Sequence, residues 1–137
     1  MDSRLVVWGA LVLLGCAQSF ASPTRVTTDA APQTVFDCVK QQLAALEYKQ
    51  TSYDTDALRI NATKIDLKTR RADTQFRRML DKLEVDVGPD ASGQTSLTVT
   101  GHTFAEYTTQ RGPTEVEEKA SSGVKSDAQQ LVERCHS

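Results

Sequence analysis

The chain has 137 residues, and its 16 Lys and Arg against 18 Asp and Glu give a formal net charge of −2 at pH 7. That balance excludes a wholesale nucleic-acid binder, which would be strongly basic. The length leaves room for one folded domain at most behind the apolar leader, and the three cysteines allow one bridge and one further thiol.

The chain opens with Met1-Asp2-Ser3-Arg4, runs apolar from Leu5 to Leu14, and then reads Gly15-Cys16. This stretch suits the apolar region of a secretory signal and is too short to span a bilayer. Leu13-Leu14-Gly15-Cys16 resembles a bacterial lipobox: an apolar residue three before the cysteine, a small one just before it, then the thiol that takes the lipid. The resemblance implies a signal peptide over residues 1–15 and lipidation at Cys16. Ser19-Phe20-Ala21 offers a second, small-x-small cleavage pattern that would remove Cys16 with the leader. Either route delivers the chain to an oxidising compartment, where Cys38 and Cys135 are expected to pair.

Residues 16–33 read as a tether, because Ser22 to Gln33 is rich in Pro, Thr, Ala and Ser without an apolar period. A single domain is expected over 34–137. Thr34 is a candidate N-cap with Asp37 three residues on, and Val35, Phe36, Val39, Leu43 and Leu46 follow on one helical stripe. Glu47 to Asp54 reads as a strand, Asp54-Thr55-Asp56 as a turn, and Leu58, Ile60 and Ala62 as the inward residues of a half-buried strand.

Lys64 to Lys82 has a local charge of +4 and carries Phe76, Met79 and Leu80 at helical spacing, which predicts a basic loop entering a short helix or irregular turn. Leu83, Val85 and Val87 alternate with acids, and Leu97 and Val99 alternate with Thr, so these two runs form a hairpin across Gly88 to Gly93. Gly101 suggests a bulge. Gln110 to Gly123, with Pro113 and three glutamates, reads as a solvated connection. A last helix is expected from Ser126 or Asp127, burying Val124, Ala128, Leu131, Val132 and Cys135.

The pattern predicts an α+β two-layer sandwich, with an antiparallel sheet of about four strands and both terminal helices on one face, stapled by a Cys38–Cys135 disulfide. The whole mature region resembles small bacterial envelope lipoproteins with an α-β-β-β-β-α core. That resemblance implies the cell envelope and brings no catalytic residues.

No catalytic motif stands out, no cofactor is implied, and His102 and His136 lack the partners of a metal or catalytic set. The sequence therefore predicts a non-enzymatic envelope module that binds or scaffolds. A small secreted hydrolase or ligand-binding protein, with His102 and carboxylates in a deep pocket, is the alternative. The one stretch with visible binding chemistry is Lys68, Arg70, Arg71, Arg77 and Arg78. As a helix it would present a basic patch to anionic lipid, an envelope polymer or an acidic protein partner.

Overall fold

A computed structural model describes residues 20–136, so Cys16 and the leader lie outside the described residues. The elements are β1 (Ser22–Thr28), α1 (Pro32–Ala45), β2 (Lys49–Asp54), β3 (Arg59–Asp66), β4 (Phe76–Pro89), β5 (Thr95–Thr109), β6 (Gly112–Glu118) and α2 (Ser122–Cys135). They form one antiparallel sheet of six strands, ordered β1-β5-β4-β3-β2, with β6 also paired to β5. Strands β1 and β6 share one edge of β5: β1 pairs along Thr95–Gly101 and β6 along Thr103–Thr109.

Both helices cover the same face. Val35, Phe36, Val39 and Leu43 of α1 and Val124, Ala128, Leu131 and Val132 of α2 meet Ile60, Ala62, Leu83, Val85, Val87, Leu97 and Val99 of the sheet in one core. Cys38 and Cys135 are bonded, joining α1 to the end of α2 across 97 residues of sequence. Among the described residues no helix is long and apolar enough to cross a membrane.

Several expectations are corrected. Ser22–Thr28 is not tether but strand β1, because its alternating Thr and Val residues can complete the ladder that β5 would otherwise leave open. Helix α1 starts at Pro32 with Ala31 as N-cap, so Thr34 lies inside it; proline suits the first turn, where an N–H has no helical partner. The helix expected within Lys64 to Lys82 is absent. Residues up to Asp66 finish β3, and Phe76 onward begins β4, where alternation along a long hairpin overrides a helical spacing of three apolar residues. Gly112–Glu118 is strand β6 rather than a solvated connection.

Helix α2 starts four residues before the expected Ser126. Ser121 caps it, its hydroxyl accepting from the Val124 N–H. The same hydroxyl donates to Asp81, which also accepts from Thr103, tying the helix start to the sheet. Gly101 makes no bulge; a Cβ there would lie 3.2 Å from a Val124 methyl, so the glycine lets α2 approach the sheet. The register shift in β4 falls between Phe76 and Arg78 instead.

Candidate functional site

Side chains alternate across a strand, so the residues between the core positions point to the open face. On β4 these are Arg78, Leu80, Lys82 and Glu84; on β5, His102, Phe104 and Glu106; on β6, Glu115 and Glu117; on β3, Asn61, Thr63 and Ile65. Together with Lys49 and Ser52 of β2 they line a groove of about 760 Å³ on the uncovered side of the sheet.

The groove floor is apolar. Leu80 is buried although it faces away from the helices, and the Phe104 ring lies beside it with the Lys82 ammonium 4.5 Å from the ring centroid. Lys82 also pairs with Glu115. Glu106, its side chain only 7% exposed, accepts from Arg78 at 3.1 Å and faces Arg77 at 3.4 Å.

His102 is the centre of a three-strand bridge. Its Nδ1 lies 2.8 Å from Glu117 on β6 and its Nε2 3.2 Å from Glu84 on β4. Neutral imidazole donates from one nitrogen only, whereas the protonated ring donates from both and would satisfy both carboxylates. The wall nearer β2 is polar, with Asn61 Nδ2 donating to Ser52 Oγ, Thr51 donating to the Asn61 carbonyl, and Lys49 at its edge. Such a surface can exchange its internal ion pairs for those of a ligand, over an apolar floor already shaped.

A second hollow, of about 670 Å³, lies beside the start of α2. Two of its polar groups are engaged in the fold: Asp127 accepts from the Tyr48 hydroxyl, and Lys64 sits 3.4 Å from the same carboxylate. Burial, reinforced by that bond, pushes the Tyr48 phenol well above its ordinary value.

The anion-binding set expected from the sequence is divided. Lys68 and Arg70 stand on the loop between β3 and β4, outside any ion pair among the described residues. Arg71 forms a fork on Glu118, with two nitrogens 2.6 Å from the two oxygens, and reaches the Tyr107 hydroxyl. That partner raises the Arg71 guanidinium and holds the Glu118 carboxyl below the usual carboxylate range. Arg77 and Arg78 share Glu106, so the arginines do not form the single helical patch that their spacing suggested.

Sequence reasoning passed over Glu84, Glu106, Glu115 and Glu117. The available signal was the period-two run His102, Phe104, Glu106 beside Lys82 and Glu84. Joining it to Glu115 and Glu117 required knowing that β6 is a strand. His136 serves the end of α2, donating to the Glu133 carbonyl. Among the described residues no three His, Cys, Asp or Glu side chains converge as a metal site. No protein-family model matches the chain, and no curated protein matches it.

Proposed function

We propose that the protein is a non-enzymatic, lipid-anchored module of the bacterial cell envelope that binds its partner on the open face of the sheet. The observation that carries this reading is the division of the sheet into a filled side and a hollow side. The helix-covered interior is packed with Val, Leu, Ile and Phe side chains at 0–5% exposure, whereas the groove lies on the opposite face. Attachment through Cys16 rests on the lipobox-like Leu13-Leu14-Gly15-Cys16. The alternating cationic and anionic rows over Leu80 and Phe104 suit an envelope polymer or an envelope protein bearing both charge and apolar surface. Purified protein should bind an isolated envelope fraction, and Lys82→Ala/Phe104→Ala should weaken that binding about tenfold or more while the fold persists. Unchanged binding by the folded double variant would refute the assignment of the face.

One observation favours the second reading, a small secreted hydrolase or ligand-binding protein. The contact between His102 Nδ1 and Glu117 is the imidazole–carboxylate pairing that orients a general base. Turnover of an ester, amide or glycoside panel that disappears in His102→Ala would establish an enzyme. Turnover at the background rate by wild type would leave the binding module.

A further inference from the structure

Five large apolar side chains are exposed among the described residues: Phe20, Tyr53, Ile65, Leu67 and Val116. All but Tyr53 occur in one half of the sheet. The register places Asp66, Met79, Ala105 and Val116 in one row and Lys64, Asp81, Thr103 and Glu118 in the next. Leu67 lies one residue past the first row, Ile65 between the two, and Phe20 beside the second, its carbonyl accepting from the Ala120 N–H. Leu67 is 65% exposed.

The same end carries four cations outside any ion pair among the described residues: Lys68 and Arg70 on the β3–β4 loop, Arg111 in the β5–β6 turn, and Lys119. The loop is held in shape. Asp66 accepts from the Lys68 and Thr69 N–H groups and the Thr69 hydroxyl, so its carboxylate is turned inward. Arg71 fastens the loop to Glu118, and the Gln75 carbonyl accepts from the Thr108 N–H. Glu47 and Asp73 are the acidic neighbours. The opposite end carries Asp29, Asp54, Asp56 and Asp90 at its turns, with Arg59 paired to Asp86 and Arg25 bonded to Ser96 behind them.

Chain length makes this polarity consequential. Because β1 begins at Ser22, most of the tether expected over residues 16–33 is strand and helix instead. Cys16 is four residues from Phe20, a span of at most about 14 Å. A lipid on Cys16 would therefore keep Phe20, and with it the edge where β1 and β6 meet beside Thr103, close to the bilayer.

We propose that the end bearing Leu67, Phe20 and Val116, ringed by Lys68, Arg70, Arg111 and Lys119, lies against an anionic phospholipid surface, with Leu67 entering the head-group boundary. The proposal rests on the lipid-anchored reading and adds the orientation of the protein. Cations near an anionic leaflet strengthen contact by about fivefold each, and the anchor supplies the high local concentration that so small a surface needs. The interaction is screened over about 8 Å at physiological salt. In this orientation the opposite end points away from the membrane, and the groove opens to its side.

The test uses the full chain, with Cys38 and Cys135 bridged and the remaining thiol, Cys16, coupled to a maleimide lipid. This makes the outcome independent of natural processing. Leu67→Trp in a Trp8→Phe background reports the loop, and Ser92→Trp in the same background reports the far end. In vesicles of phosphatidylglycerol and phosphatidylethanolamine, Leu67→Trp should be blue-shifted and quenched by a lipid carrying a shallow spin label. Ser92→Trp should not. Lys68→Ala/Arg70→Ala or replacement of phosphatidylglycerol by phosphatidylcholine should reduce the quenching severalfold. Equal exposure of the two probes on anionic vesicles would overturn the proposal. Fractionation of cells expressing Cys16→Ser tests natural anchoring separately: if partitioning does not change, the anchored reading fails even where the coupled protein shows the contact.

Discussion

The two faces of the sheet solve opposite problems with the same strands. On the covered face Leu83, Val85, Leu97 and Val99 lie under two helices and are inaccessible to water. On the other face the residues next to them in sequence, Lys82, Glu84, Asp86, Thr98 and Thr100, meet solvent or one another. Burial of apolar area stabilises the first face, at roughly 25 cal/mol per Å². The second is held by pairs whose net contribution is small because solvent competes for each partner. The difference teaches that stability is concentrated on the covered side, so substitutions on the two sides should differ in what they change.

The largest effect is expected where the covered face is cross-linked. Cys38→Ser opens a loop of 97 residues. The chain-entropy estimate for a loop of that size is about 4.7 kcal/mol, an upper figure. Thermal unfolding without reductant should show a large loss of midpoint, and non-reducing peptide mapping of wild type should recover the Cys38–Cys135 pair. Next comes Leu83→Ala, which would open a cavity among fully buried neighbours and cost about 3 kcal/mol in denaturant unfolding. Gly101→Ala should cost about 1 kcal/mol, because Val124 must move by a few tenths of an ångström to admit the methyl group. A Gly101→Ala protein as stable as wild type would show that α2 does not depend on that close approach. The smallest effect belongs to the open face: Glu115→Ala should change stability by less than about 1 kcal/mol. A loss as large as that of Leu83→Ala would erase the distinction between the faces.

Acid titration sharpens the comparison further. Arg71 holds Glu118 below the ordinary carboxylate range, and local hydrogen bonds, Thr69 foremost, do the same for Asp66. These groups bind fewer protons in the folded chain than in the unfolded one. Their contribution is therefore complete above about pH 5, where unfolded carboxylates have ionised, and is lost as pH falls through about 4 toward the folded values. Unfolding midpoints measured from pH 7 to 3 should decline most below pH 4, and Arg71→Ala should flatten that decline.

Much of the covered face was legible because its signals are periodic. Val35, Phe36, Val39 and Leu43 repeat as a helix, and Leu83, Val85 and Val87 repeat as a strand, whatever lies opposite them. The Cys38–Cys135 bridge was expected from the leader-like start of the chain and the cysteine count. Strands β1 and β6 were not legible, since Ser22–Thr28 and Gly112–Glu118 carry proline and polar residues and gain their structure only from the edge of β5. The groove was hidden for the same reason. His102 was visible as a lone histidine, but its position between Glu84 and Glu117 depends on β6. The arginine pairs were read as one helical patch because Glu106 and Glu118, which take up three of those arginines, are distant in sequence.

The central claim is that the open face binds the envelope partner and the covered face does not. Its most direct measurement is a titration of purified protein against isolated envelope fraction, comparing wild type, Lys82→Ala/Phe104→Ala on the open face and Asp81→Asn at the covered start of α2, with circular dichroism on each. The expected result is binding weakened about tenfold or more by the open-face variant alone, with all three proteins folded. Wild-type affinity in the folded open-face variant, or an equal loss in Asp81→Asn, would contradict it.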